Sequence, residues 1–239
     1  MTYALTITHL YPVEMNIYGD RGNVLTLCKR MEWRGITANV VDVGVGEPFD
    51  PSRTDIVFAG GGQDRGQVAV GLDLQSRTDA LLEAAEAGVV MLVVCGTYQL
   101  FGRRFQTLEG HDIPGIGLFK ADTIGSTQRL IGNVTIETRW GPMVGFENHS
   151  GQTTLDPGEA ALGDVIKGYG NNATDKVEGA LHHNVHGTYL HGPVLPRNPA
   201  FADHLIGTAM RRRYDVELLE PLDDTLERAA AKVVMDAPR

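Results

Sequence analysis

The sequence predicts an α/β fold: an open, doubly wound, mostly parallel sheet with helices on both faces and extra antiparallel strands in the second half. Three observations predict it. Strand and helix patterns alternate through the first half of the chain. Residues 89–94 are apolar at every position, which suits a central parallel strand covered on both faces. Glycine clusters follow directly after strand patterns, where tight turns and close backbone approaches belong.

Taken in order, residues 3–10 read as a buried strand. Residues 23–33 read as a helix carrying Val24, Leu27, Cys28 and Met31 on one face. Residues 40–43 and 55–59 are β-branched runs, the second ending at Gly60-Gly61-Gly62. Residues 78–87 place Leu81, Leu82 and Ala85 along a helical stripe. The 89–94 strand comes next, and Gly96 can open a helix after it. Residues 119–126, 134–138 and 143–147 are short β patterns separated by glycine and polar turns, which add antiparallel strands. Residues 185–190 read as one more strand, and residues 198–213 and 222–232 as closing helices. No repeat or low-complexity stretch interrupts this order, so one domain over residues 1–239 is expected.

Composition narrows the function classes. With 239 residues, 42% hydrophobic and 21% charged, the chain is ordinary for a globular protein and unlike a disordered one. A formal charge of −9 argues against gripping a nucleic-acid backbone. No apolar run approaches the ~20 residues of a membrane helix, and no basic-then-apolar leader opens the sequence. Two cysteines make no disulfide framework, so Cys28 and Cys95 are expected as free thiols in a cytoplasmic protein.

Cys95 carries the sharpest chemistry. It ends the apolar strand and precedes Gly96, the arrangement of a nucleophile elbow that projects its side chain from the carboxyl edge of the sheet. The Gly96 amide can donate to an oxyanion. The bland alternative is a structural cysteine, a residue type often buried. Gly60-Gly61-Gly62 ends another strand, as an anion nest or as a plain tight turn; no Gly-Lys-Ser/Thr follows to make a P-loop. His182, His183, His186 and His191 cluster late. His182, His186 and His191 could ligate a metal, but no acidic or cysteine partner has useful spacing, and no metal is expected. His191 stands where a β pattern gives way to Gly192-Pro193, and a neutral imidazole there can take a proton from Cys95 and return it to a leaving amine.

Five blocks of sequence bring in a family: residues 10–16 with Tyr18-Gly-Asp-Arg-Gly-Asn23, Gly60-Gly-Gly-Gln-Asp64, Val94-Cys-Gly-Thr-Tyr-Gln99, Val144-Gly-Phe-Glu-Asn-His149 and Gly187-Thr-Tyr-Leu-His-Gly192. Over almost its whole length the chain resembles a class I glutamine amidotransferase of the cobyric-acid-synthase-like group. The first and fourth blocks tilt it toward the glutaminase subunits of lipid II isoglutaminyl synthases. The resemblance implies that Cys95 attacks the amide of L-glutamine, that His191 is general base and acid, and that Gly62 and Gly96 donate to the oxyanion. It also implies a substrate-binding role for Arg129, whose guanidinium suits a carboxylate, and places Gln99 in the same pocket.

One position departs from the wider pattern. Many relatives carry a glutamate two residues after the histidine, where this chain has Pro193. The orienting acid then comes from elsewhere in the chain or, as the favoured expectation, from a partner subunit. The resemblance implies that ammonia passes to a separate Mur-ligase-like synthetase subunit (MurT), which would hold ATP and Mg, with no cofactor in this chain. That subunit would amidate the D-glutamate of lipid II to D-isoglutamine. The alternatives are an amidotransferase of corrinoid side-chain amidation, a cysteine hydrolase using His111, and a non-catalytic binding subunit.

Overall fold

Burial on both faces decides where the parallel strands sit. The computed structural model describes residues 3–62, 64–216 and 218–237. The first half runs β1 (Ala4–Leu10), α1 (Arg21–Glu32), β2 (Thr37–Val43), β3 (Ile56–Ala59), α2 (Asp64–Glu86), β4 (Val90–Val94) and α3 (Gly96–Phe101). A second set follows: β5 (Arg104–Gln106), β6 (Asp112–Pro114), the long pair β7 (Ala121–Thr138) and β8 (Gly141–Leu155), β9 (Gly163–Lys167) and β10 (Val177–Glu178). The chain then returns through β11 (Ala180–His182) and β12 (Val185–Thr188) and closes with α4 (Pro199–Tyr214) and α5 (Thr225–Asp236).

The first sheet has the order β11-β12-β4-β3-β1-β2, parallel throughout except for β11. Every residue of β3 and β4 is buried, as their unbroken apolar runs require. Strand β2 lies at the edge, and its Val40 and Val41 are exposed. From β1 the connections run to β2 on one side and onward to β3 on the other. The carboxyl ends of β1 and β3 therefore flank a crevice where such sheets bind ligands.

Two elements differ from their sequence pattern. Helix α2 begins at Asp64, well before the expected residue 78, because Gly66 and Gly71 are close approaches and not breaks. A Cβ on Gly71 would lie 2.7 Å from Ile113 Cγ2, and one on Gly66 would lie 3.3 Å from the Glu14 carbonyl. The exposed Val68 and Leu72 also blur the apolar stripe in this first stretch. The three short β patterns of the second half are two long antiparallel strands, β7 and β8. The glycine-polar segment read as a turn is an irregularity in β7, where the pairing shifts between Gly125 and Leu130. That irregularity carries Arg129 to the cleft.

Candidate active site

Cys95 sits between β4 and α3 with φ 52° and ψ −107°, a backbone conformation that side chains rarely adopt. Its neighbours hold it there. The Cys95 N–H donates to the Thr188 carbonyl at 2.8 Å, and its own carbonyl accepts from the Gln99 N–H at 3.0 Å. The Thr97 hydroxyl reaches the carbonyls of Ala59, Val94 and Gly60, tying the elbow to the glycine loop after β3. Both cysteines are free thiols, and Cys95 is buried apart from 8% of its surface.

His191 follows β12 and is fixed by a two-way backbone bridge to Phe146 of β8, at 2.9 and 3.2 Å. Its side chain converges with that of Cys95 on Gly61. A Cβ at Gly61 would lie 3.0 Å from Cys95 Cβ and 3.1 Å from His191 Cε1, so glycine is what lets the pair close over this loop. Buried Glu178 sets the approach to the histidine by accepting from the Tyr189 N–H at 2.6 Å and from the Thr188 hydroxyl at 3.0 Å. Burial pushes Glu178 up to about 8.

Sequence reasoning favoured a partner subunit as the source of the orienting acid and named no residue of this chain for it. Asp20, fully buried before α1, stands with Oδ1 3.8 Å from His191 Nδ1. Its Oδ2 accepts from the Gly61 N–H at 2.7 Å, and Oδ1 has no hydrogen-bond partner. Burial opposes an imidazolium at position 191, but the Cys95 sulfur and the Asp20 carboxylate outweigh it and hold the histidine up to about 10. The Tyr18-Gly-Asp-Arg-Gly-Asn23 block held the signal for Asp20, although no spacing rule connects residue 20 to residue 191.

Cys95 opens onto a cavity of about 460 Å³, with His191 and Asp20 buried behind it. Cys95, Gly62, Gln99 and Arg129 line it, and Gly96 adjoins Cys95 as the first residue of α3. Gln63 of the glycine loop lies outside the described residues. Gln99 is committed to its neighbours: Oε1 accepts from Gln67 Nε2 at 2.8 Å, and Nε2 donates to the Tyr189 hydroxyl at 3.1 Å. It shapes the wall. Gln67 was missed because it lies in the part of α2 that reads as loop.

His149, beside the cavity mouth, stacks on Tyr189 at 3.6 Å and bonds the Gly151 carbonyl through Nδ1 at 2.7 Å. Burial drives it down to about 4, so its ring is neutral and Nδ1 must be the donor. The remaining histidines do not gather as a metal set with His191. His186 is buried against Phe201 and Trp140, whereas His182 and His183 meet Glu86, with one ligand atom from each of the three within 4.8 Å of the others.

A family model described as a CobB/CobQ-like glutamine amidotransferase domain matches residues 6–199, which span every group named around Cys95. The chain belongs to that family. This amidotransferase is also 39% identical over 235 residues to the lipid II isoglutaminyl synthase (glutamine-hydrolyzing) subunit GatD of Staphylococcus aureus, covering 98% of this chain and 96% of the relative. The GatD subunit of Streptococcus pneumoniae is 37% identical, with 98% and 92% covered. A cobyric acid synthase of Pelotomaculum thermopropionicum is 30% identical over 56% of this chain, but over only 28% of its own length. A solved glutamine amidotransferase superposes with TM-score 0.59 at 14% identity, covering 84% of this chain and 98% of that one, which supports the fold. No helix among the described residues is long and apolar enough to cross a membrane.

Proposed function

We propose that this amidotransferase is the glutaminase subunit of a lipid II isoglutaminyl synthase, releasing ammonia from L-glutamine through a thioester at Cys95. The observation that carries the reading is the convergence of Cys95 and His191 on Gly61 at the edge of one cavity. The Cys95 sulfur attacks the side-chain amide carbon after its proton passes to His191. The amide oxygen becomes an oxyanion facing the backbone of Gly62 and Gly96. His191 returns the proton to the leaving nitrogen, and ammonia departs. Water, deprotonated by His191, then cleaves the thioester to glutamate and restores the thiol. Arg129 takes the α-carboxylate of the substrate. Asp20, 3.8 Å from His191, orients it in the role the wider family gives to an acid at the position where this chain has Pro193.

The ammonia goes to a Mur-ligase-like synthetase subunit (MurT), which binds ATP and Mg and amidates the D-glutamate of lipid II. Full-length similarity to two GatD subunits supports this acceptor over a corrinoid one, because the corrinoid relatives match through a fraction of their length. The test is Cys95→Ala in the assembled complex. Glutamine-dependent amidation is expected to disappear while amidation driven by added ammonium persists. Loss of both would make Cys95 structural.

A further inference from the structure

Two of the sequence blocks meet across the cavity mouth, through side chains the reaction above does not use. Tyr18 lies in the short turn Ile17–Gly19 with φ 60° and ψ 17°, a left-handed conformation unusual for tyrosine. The turn is held by the Ile17 N–H, which donates to the Gly61 carbonyl at 3.0 Å, and its ring lies 4.7 Å from the His191 ring. Asn148, on β8, faces it. Asn148 Nδ2 donates to the Tyr18 hydroxyl at 2.7 Å, and Asn148 Oδ1 accepts from Arg129 Nε at 2.6 Å. The orientation of this amide follows from chemistry, since Arg129 Nε can only donate and must face the oxygen. With Nε engaged, the guanidinium has its two terminal nitrogens to present to an incoming carboxylate.

We propose that Asn148 is a positioning residue that aims Arg129 at the α-carboxylate of glutamine and at the same time holds Tyr18 over His191, linking substrate capture to the roof of the general base. The proposal deepens the glutamine reading of this site and rests on it. All three residues line the cavity, so an amino acid entering beside Arg129 passes under the Tyr18 ring. A substrate that lacks the α-carboxylate leaves the chain of bonds unloaded. Selectivity for a free amino acid over a peptide-bound or decarboxylated amide follows from the same link.

The test is a double-mutant cycle in the assembled complex, reading KM and kcat for glutamine. Asn148→Ala is expected to raise KM about tenfold, the size of one hydrogen bond to a charged group, with a smaller change in kcat. Tyr18→Phe keeps the aromatic ring, loses the hydroxyl through which Asn148 holds it and is expected to raise KM a few-fold. The double variant should be no worse than Asn148→Ala alone, because both act through one link. Cys95 alkylation by iodoacetamide, which needs no carboxylate grip, should stay at the wild-type rate in each. Multiplying KM effects, or an unchanged KM in Asn148→Ala, would overturn the proposal. If Asn148→Ala also loses iodoacetamide reactivity, its site is disturbed, and the KM of Tyr18→Phe decides: unchanged, it overturns the link. Failure of the wild-type complex to consume glutamine would instead sink the glutaminase reading itself.

Discussion

The parallel sheet and the long antiparallel hairpin contribute different kinds of groups to one cavity. From the loops that follow the parallel strands come Cys95, His191 and Asp20, all buried and fixed by backbone hydrogen bonds. From β7 and β8 come the exposed Arg129 and its neighbour Asn148, at an irregularity on the cavity rim. Reacting groups gain from low dielectric, where a charge on one is felt strongly by the next. A group that captures a charged substrate must instead meet it before it is desolvated. Two of the buried histidines show the same division. His191, beside sulfur and carboxylate, is held up to about 10, whereas His149, buried with His191 and Arg129 as its charged neighbours, is pushed down to about 4.

Asp20 gives the largest effect that would break this division. If a carboxylate of the parallel half orients the base, Asp20→Asn should lower kcat of the assembled complex by a hundredfold or more, judged from the ~10⁴-fold loss for the equivalent change in a serine protease triad. KM for glutamine should change little. The His191 titration, followed by NMR of the imidazole, should move down from about 10, because one of the two anions holding it there is gone. A complex that keeps its kcat and its His191 midpoint would assign the orienting acid to the partner subunit, as the Pro193 departure suggested.

Arg129 gives the next largest effect, and it falls on binding. Arg129→Gln keeps a side chain long enough to reach Asn148 but removes the charge, and should raise KM for glutamine roughly ten- to a hundredfold with kcat within a few-fold. Equal losses in kcat and kcat/KM would place Arg129 among the groups that act in the transition state, and the division between the two sheets would fail.

The division also governs what could be read from the sequence. The parallel half was legible because local rules mark it: a fully apolar run, glycines directly after β2 and β3, and a cysteine opening a helix. Its start of α2 was lost because Gly66 and Gly71 resemble breaks when tertiary neighbours are unknown. In the antiparallel half, three strand fragments could be seen but not their union, since the signature of a register shift is the same as that of a turn. Pairing over distance was the least legible feature. Asp20 meets His191 through the order of strands within the parallel sheet, and Tyr18 meets Asn148 across the two sheets, neither of which any spacing along the chain encodes. Arg129 was placed by family resemblance alone, and a solvated turn arginine has the same local sequence.

The smallest effect concerns stability and should leave the division untouched. His186 is buried beneath α4 and faces Phe201, Trp140 and His204, with Arg139 nearby, while its Nδ1 bonds the Met91 carbonyl at 3.1 Å. Burial, with added repulsion from His204 and Arg139, drives it down to about 3 from 6.5. The folded chain therefore keeps this ring neutral at pH values where the unfolded chain protonates it. The stability this contributes is whole above pH 6.5 and drains as the pH falls toward 3, at about 1.4 kcal/mol per pH unit. His186→Gln removes the titration and retains a side-chain donor. Urea unfolding between pH 6.5 and 4.5 should show a shallower loss of stability in the variant by about that slope. Equal slopes would mean that the folded protein protonates His186 as readily as the unfolded one, and that burial beneath α4 does not keep it neutral.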